Sequence, residues 1–275
     1  MKPAQPPESP ASPGRALSAV LPAWQRPLAV VAHPDDETFG LGALISQMAA
    51  AGARVHILCY THGEASTLNE NHTDLLRQRE HELRQASRAL GAAGITLLGY
   101  RDGRLAAQPP GDLAHRIAAL AARQHADGLL AFDDTGVTGH PDHRAATAAA
   151  VLAGTALALP LLAWALPANV AHRLRAQTGQ PFTGQPPGQL DFRIPVDRAC
   201  QRRAAWLHAS QISPTAVLWR RLELQGDTEH LRWLLPPAGR RLRPGLTQPR
   251  RGLPTPPIYP DGYAETRGGA AHEDG

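Results

Sequence analysis

The sequence of 275 residues has only two cysteines, Cys59 and Cys200. Two cysteines cannot build a disulfide framework or a four-thiolate metal site. Cys59 lies inside an apolar run, where we interpret it as a small buried hydrophobe rather than a nucleophile. Any metal ion in this protein must therefore be held by histidine and carboxylate side chains.

Long apolar runs are also absent. No run approaches the roughly 20 residues that cross a bilayer, and Met1 and Lys2 are followed by prolines instead of the apolar core of an export signal. We therefore predict a cytoplasmic protein without a membrane span. The net charge is +4, but runs of like charge and interleaved aromatic residues are missing. The sequence thus predicts no nucleic-acid partner, and it leaves the oligomeric state open.

Proline is concentrated at the two ends of the chain. Residues 1–27 hold seven prolines and residues 236–275 hold eight, out of 26 in total. Such segments bury too little apolar surface to offset the entropy of ordering them. We therefore predict a disordered N-terminal tail over 1–27, a folded domain over 28–235, and a disordered C-terminal tail, rich in proline and arginine, over 236–275.

Within the predicted domain, short apolar runs alternate with longer segments of strong helix formers. This alternation predicts an α/β fold with a doubly wound, mostly parallel sheet and helices on both faces. The predicted strands are Leu28–Ala32, Val55–Thr61, Ile95–Gly99, Gly128–Phe132, Pro160–Leu166 and Leu190–Pro195, and the predicted helices are Leu41–Ala51, Asp74–Leu90, Asp112–Gln124, His143–Leu157 and Asp197–Ser210. The Pro- and Gly-rich stretch Ala176–Gln189 is predicted to be a long surface loop at the rim of a site.

Two clusters of histidine and acidic residues follow predicted strands. The first strand continues into His33-Pro34-Asp35-Asp36-Glu37, and the fourth is followed by His140-Pro141-Asp142-His143. Ligands of such sheets bind outside the carboxyl ends of the strands. Acids crowded at one strand end repel one another, and a bound cation reverses that cost. The alternative is that Asp35 or Asp36 only caps the following helix, but a cap needs one acid and no histidine.

The two clusters contain the parts of a metal-dependent hydrolase. His33, Asp36 and His143 can supply the three protein ligands of a catalytic zinc ion, and Asp35 can take a proton from a water at that ion. A protonated His140 can stabilise an oxyanion and then protonate a leaving amine, with Asp142 holding its imidazole in the correct tautomer. We predict Zn²⁺, although the same ligands accept other divalent transition metals.

The two clusters resemble those of the PIG-L (LmbE-like) family of zinc-dependent de-N-acetylases. The resemblance extends over most of the core and includes Thr61-His62-Gly63-Glu64, Arg79-Glu80-His81-Glu82-Leu83 and His208-Ala209-Ser210-Gln211. It implies a Rossmann-like fold and the removal of an acetyl group from an N-acetylated sugar or glycoconjugate of the N-acetylglucosaminyl type. That small molecule is then the expected partner.

The same resemblance assigns roles to individual residues. It implies zinc ligands at His33, Asp36 and His143, a catalytic base at Asp35 and a second catalytic histidine at His140. It implies substrate-binding residues at Arg79, Asp102 and His208. One position departs from the family pattern: the mycothiol-pathway enzymes have a tyrosine thought to assist at the oxyanion where this chain has Thr138.

The sequence leaves two alternatives to a deacetylase open. One is a metal-binding or ligand-binding module that has kept the fold and has little or no catalytic activity. The other is a hydrolase of a different amide or of an ester that uses the same site. The presence of the complete set Asp35, His140 and Asp142 favours an enzyme, because a module that only binds has no need of a base.

Overall fold

The fold is built on a seven-stranded sheet with the strand order β3-β2-β1-β4-β5-β7-β6, seen in a computed structural model that describes residues 16–66, 68 and 74–240. The strands are β1 (Pro27–Val31), β2 (His56–Thr61), β3 (Gly94–Tyr100), β4 (Gly128–Phe132), β5 (Leu161–Trp164), β6 (Phe192–Pro195) and β7 (Thr228–Leu235). The helices are α1 (Asp36–Phe39), α2 (Gly42–Ala50), α3 (Leu75–Ala89), α4 (Pro110–Gln124), α5 (Gly136–Gly139), α6 (Pro141–Leu157), α7 (Ala168–Thr178), α8 (Ala199–Ala205) and α9 (Val217–Gln225).

The first five strands pair in parallel, and the sheet grows outward in both directions from β1 and β4. Every residue of β1 and β4 is buried, which is why these strands appear in the sequence as continuous apolar runs. The predicted doubly wound, mostly parallel α/β sheet is confirmed. Strands β1 to β3 form one half of the sheet and β4 to β7 form the other, so the strand order reverses between β1 and β4. Folds of this type bind ligands at such a reversal point.

Strand β7 was not predicted from the sequence. It lies between β5 and β6 and is antiparallel to both. Its apolar pattern is broken by two charged side chains, Glu229 and Arg232, that are nevertheless buried. Glu229 forms an ion pair with Arg198, and Arg232 pairs with Asp133. Burial of a charge is possible only with such partners, and partners that are remote in sequence cannot be read from a local pattern.

Helices cover both faces of the sheet. Leu44 of α2 and Leu83 of α3 pack in the core on one face, whereas Ile117 of α4 and Ala149 of α6 pack on the other. The predicted rim loop is partly helical, because α7 extends to Thr178 before the chain becomes irregular. In the part of the chain that is described, no helix is both long enough and apolar enough to cross a membrane.

Residues 16–26 belong to the folded unit, which corrects the predicted N-terminal tail. Ser18 exchanges main-chain hydrogen bonds with Asp191 and Arg193 beside β6. The Trp24 ring packs on Gly128, where a Cβ atom would lie 2.1 Å from it, and meets Trp233 edge to face. The apolar surface of this segment therefore stabilises its position despite its prolines. Residues 1–15 and 241–275 of the predicted tails lie outside the described part of the chain.

Candidate metal and catalytic site

The candidate site lies where two loops leave the adjacent strands β1 and β4. We call residues 32–40 the β1 loop and residues 133–143 the β4 loop. Because β1 and β4 are parallel neighbours, both loops leave the same edge of the sheet. The helices that follow them pack on opposite faces, so a space opens between the loops at this edge.

Three side chains from the two loops direct their donor atoms at one point. His33 Nδ1 lies 3.2 Å from His143 Nε2 and 3.5 Å from Asp36 Oδ2, and His143 Nε2 lies 3.1 Å from Asp36 Oδ1. Bonds of about 2.0–2.1 Å in a tetrahedral zinc site place ligand atoms about 3.3–3.4 Å apart. The type and spacing of these donors therefore fit a divalent transition metal ion.

The far nitrogen of each imidazole is already engaged by the protein. His33 Nε2 faces Asp102 Oδ1 at 3.0 Å and Asp142 Oδ2 at 3.4 Å. His143 Nδ1 donates a hydrogen bond to the Gly136 carbonyl oxygen at 3.1 Å. These acceptors keep the ring protons on the outer nitrogens and leave the inner nitrogens free as ligands.

The charges of His33, Asp36 and His143 stabilise one another. Burial disfavours the ionised form of each, but His143 and His33 outweigh this effect at Asp36 and hold its pKa well below the usual value. The Asp36 carboxylate in turn raises the pKa of His143 against the effect of burial. Burial also works against a charge on His33, and hydrogen bonds to Asp102, Asp142 and Asp36 raise its pKa well above the usual value.

Asp142 orients two histidines through different atoms. Its fully buried carboxylate accepts the main-chain N–H groups of Gly103 at 2.7 Å and Leu105 at 3.0 Å, beside His33. Its own main-chain N–H donates to His140 Nδ1 at 3.2 Å. The contact between Asp142 and His140 is thus made by the main chain of Asp142, and its predicted part in holding the tautomer of His140 stays a prediction. The carboxylate belongs to the surroundings of His33.

His140 is placed as a neutral hydrogen-bond donor. Because its Nδ1 accepts a hydrogen bond from Asp142, the neutral ring carries its proton on Nε2. Burial and the nearby rings of His143 and His33 lower the pKa of His140. In the predicted protonated form, the Nδ1–H group of His140 would face the main-chain N–H group of Asp142, and two donors cannot form a hydrogen bond. The geometry therefore opposes that role. Ring nitrogens of His33, His140 and His143 all lie within 4.8 Å of one another. His140 therefore lines the same space as His33, Asp36 and His143.

Asp35 has an unusual backbone and a partly buried side chain, which is 18% exposed. Its φ of 120° and ψ of −29° lie outside the regions that residues with a Cβ atom normally adopt. It stands at the N-cap position of α1, but its side chain makes no capping hydrogen bond. The carboxylate lies 3.2 Å from Arg79 Nη2. Burial raises the pKa of Asp35 to about 6, although Arg79 favours the ionised form.

Arg79 reaches the β1 loop from helix α3. It donates hydrogen bonds to the main-chain oxygens of Gly63 and Pro34 in addition to its contact with Asp35. The close approach requires a glycine at position 63, because a Cβ atom there would lie 2.3 Å from Arg79 Cζ. Arg79 was predicted to bind substrate, but its guanidinium group is buried and is engaged by Asp35 and by two main-chain oxygens.

The other two predicted substrate-binding residues also have protein partners. Asp102 contacts His33 and accepts the main-chain N–H of Ala65 at 3.0 Å. His208 is fully buried, and its Nε2 lies 2.7 Å from Glu37 Oε1. A side chain without exposed surface does not line a pocket, so the prediction for His208 is corrected. Contact of substrate with Arg79 or Asp102 stays a prediction.

A buried ion pair that the sequence did not reveal anchors the β4 loop. Asp133 Oδ2 lies 2.5 Å from Arg232 Nε on β7. Its other oxygen accepts hydrogen bonds from Thr135 and from the Gln185 side chain. Burial alone would raise the pKa of Asp133, but Arg232 holds it below the usual value. An acid directly after a buried strand was a visible signal, whereas nothing in the sequence pointed to Arg232 as its partner.

The family follows from comparison with known proteins. The family profile described as PIG-L, GlcNAc-PI de-N-acetylase, matches residues 28–153. One relative is a protein from Nakamurella multipartita named 1D-myo-inositol 2-acetamido-2-deoxy-alpha-D-glucopyranoside deacetylase. It is 32% identical over an alignment of 238 residues, and the match covers 68% of this chain and 80% of that protein. The chain belongs to the PIG-L family. This confirms the resemblance that the two His/Asp clusters suggested.

Solved structures of lower sequence identity share the fold. The N,N'-diacetylchitobiose deacetylase from Pyrococcus horikoshii is 22% identical, with a TM-score of 0.57 over 76% of this chain and 84% of that one. The 4-carboxy-2-hydroxymuconate hydratase from Pseudomonas putida is 17% identical, with a TM-score of 0.57 over 79% and 99%. The fold thus occurs with more than one chemistry. Relatives of this PIG-L member are named deacetylases, and the prediction of an enzyme of that hydrolase class is confirmed.

Proposed function

We propose that this protein is a metal-dependent deacetylase that hydrolyses the acetamide bond of an N-acetylated sugar or glycoconjugate of the N-acetylglucosaminyl type. The observation that carries the proposal is the convergence of His33, Asp36 and His143 at separations of 3.1–3.5 Å beside the partly buried carboxylate of Asp35. The names of its relatives support the same bond and the same class of substrate.

His33, Asp36 and His143 would hold the cation. A divalent ion bound there supplies Lewis acidity toward a water and toward the substrate carbonyl. We propose zinc, because two imidazoles and one carboxylate form a common set of ligands for catalytic zinc. Iron, cobalt and manganese compete for such a set, and their availability decides which of them is bound.

Asp35 acts as the base and then as the acid. Its carboxylate takes a proton from the attacking water as the new C–O bond forms. The same carboxyl group then gives that proton to the amine nitrogen as the C–N bond breaks, which leaves acetate and a free amine. A pKa near 6 suits both steps at neutral pH, because the group is mostly ionised yet basic enough to accept a proton.

His140 stabilises the negative charge that develops on the carbonyl oxygen. Its Nε2–H is the available donor, since Nδ1 is engaged by the main chain of Asp142. Thr138 is half-buried, and it stands where the family resemblance implies a tyrosine in the mycothiol-pathway enzymes. We infer that the oxyanion is stabilised in this chain by His140 without help from a phenol.

Two variants test the proposal against a module that only binds. Purified protein would be analysed for metal and screened for acetate release from a panel of N-acetylated glycoconjugates, with an acetate ester included. We expect Asp35→Ala to retain the metal and lose activity by about 10²–10⁴-fold, whereas His33→Ala loses both. Chelation should abolish turnover, and added zinc should restore it. Full activity in Asp35→Ala would overturn the mechanism, and cleavage of the ester alone would replace the proposed bond.

A further inference from the structure

The peptide group of Asp35 is held by a residue that has no part in the proposed reaction. Its main-chain N–H donates to Glu37 Oε2 at 2.9 Å. The φ of 120° at Asp35 is unfavourable for any residue with a Cβ atom. Such conformations persist only where the surrounding structure enforces them. The side chain of Glu37 therefore acts on the backbone of its neighbour two positions earlier.

Glu37 is itself held by His208. The second oxygen of Glu37 accepts hydrogen bonds from His208 Nε2 at 2.7 Å and from the Thr38 hydroxyl at 2.7 Å. Both Glu37 and His208 are 0% exposed, so water cannot replace either partner. A carboxylate in such surroundings is stable only when its oxygens are satisfied by the protein. Removal of His208 would leave Glu37 free to turn away from Asp35.

His208 has no other visible role. It follows helix α8, and its main chain is fixed by hydrogen bonds to Ala205, Gln211 and Ile212. Its ring meets the Phe39 ring edge to face, with 5.7 Å between the centroids. Its Nδ1 is buried and has no hydrogen-bond partner. The polar contacts of its side chain are therefore directed at the turn that begins α1.

We propose that Glu37 and His208 form a positioning pair that holds the peptide of the base Asp35 in its strained conformation. The inference rests on the proposed function, because it assigns the pair a purpose in turnover. Arg79 holds the carboxylate of Asp35 and the pair holds its peptide. Neither Glu37 nor His208 touches substrate, so the pair affects the rate of the chemical step and leaves substrate binding unchanged.

A double variant separates this role from simple stabilisation of the fold. Glu37→Met with His208→Phe replaces both polar partners by apolar groups of similar size, a change that folded proteins often tolerate. We expect kcat to fall roughly 10- to 100-fold, with KM and metal content unchanged. Glu37→Gln keeps an acceptor for the Asp35 amide, and His208 can shift its proton to the unpartnered Nδ1, so this variant should retain kcat within about threefold.

Tyr60→Phe is the matched control. It removes one buried hydrogen bond, from the Tyr60 hydroxyl to the Leu113 carbonyl, in the core on the opposite face of the sheet. We expect a lower melting temperature and an unchanged kcat. A double variant that folds cooperatively and turns over like the wild type would overturn the proposal. If the double variant does not fold, Glu37→Asp decides, because its shorter carboxylate stays near His208 but withdraws from Asp35. Wild-type kcat in Glu37→Asp would then overturn it.

Hydrogen exchange at the Asp35 amide gives a readout that needs no activity. This amide should be protected in the wild type and in Glu37→Gln, and it should exchange faster in the double variant and in Glu37→Asp. Equal protection in all four proteins would contradict the positioning role. A wild type that releases no acetate while the exchange pattern holds would refute the proposed function and leave the pair intact.

Discussion

The β1 loop and the β4 loop leave neighbouring strands, but the protein holds them in different ways. In the β1 loop, Asp35 and Glu37 are bound by buried side chains from other elements, Arg79 and His208. In the β4 loop, the two histidines are oriented by main-chain groups. The buried ion pair that joins the β4 loop to strand β7 lies at the start of the loop, at Asp133.

This difference indicates that the two loops have different roles in the site. The β1 loop supplies two of the three proposed cation ligands and the proposed base, and side chains that are remote in sequence fix it. The β4 loop supplies the proposed cation ligand His143 and carries the half-exposed part of the site, including Thr138 and His140. We infer that side chains of the β4 loop can change with the substrate, whereas changes in the β1 loop disturb the chemistry itself.

The largest effect is expected when the support of the β1 loop is removed. Arg79→Met leaves the Asp35 carboxylate and two main-chain oxygens without their partner, so we expect a loss of about 3–5 kcal/mol in the free energy of unfolding. Arg77→Met on the same helix is the control. Its contact with Asp74 joins side chains that are 83% and 66% exposed, so its loss should cost less than about 1 kcal/mol. Urea denaturation measures both, and equal losses would refute the proposed division of labour.

The next effect concerns the exposed part of the β4 loop. His140→Ala removes the donor to the developing oxyanion, and we expect kcat to fall by about 10²–10³-fold. Metal content should not change, because His140 is not one of the three proposed cation ligands. Steady-state kinetics and metal analysis of the purified variant check this expectation. Loss of the metal in His140→Ala would contradict the proposed roles, in which His143 holds the cation and His140 acts only on the substrate.

A smaller effect is expected at the junction of the two loops. Asp142→Asn weakens the negative charge beside His33 while it keeps the main-chain hydrogen bond to His140. We expect the dissociation constant of the cation to rise by about 10–100-fold, measured by competition with a chelating dye. Metal affinity equal to that of the wild type would mean that Asp102 alone orients His33.

The smallest effect is expected at Asp134, the exposed neighbour of Asp133. Its side chain is 48% exposed and pairs with the outer arm of Arg232. Asp134→Asn should therefore lower the free energy of unfolding by less than about 1 kcal/mol. Asp133→Asn breaks the buried half of the same arrangement and should cost several times more. Chemical denaturation of both variants tests whether only the inner acid anchors the β4 loop.

Much of the fold could be predicted from the sequence because parallel strands buried on both faces leave a clear apolar signal. The signal fails for β7, where Glu229 and Arg232 interrupt the pattern and are paired only in the folded chain. Among the site residues, the two clusters could be placed together because their strands end at the same edge of the sheet. The partners of Asp35, Glu37 and Asp133 could not be predicted, since each comes from an element far along the chain.

The late position of two supporting residues has a consequence for the newly made protein. His208 lies next to the β1 loop, and Arg232 on β7 anchors the β4 loop, yet both are translated long after the loops that they support. Once the chain has been synthesised through the end of α6, it already contains every proposed cation ligand and the proposed base. We expect such a nascent chain to remain catalytically silent until its final third has emerged and docked.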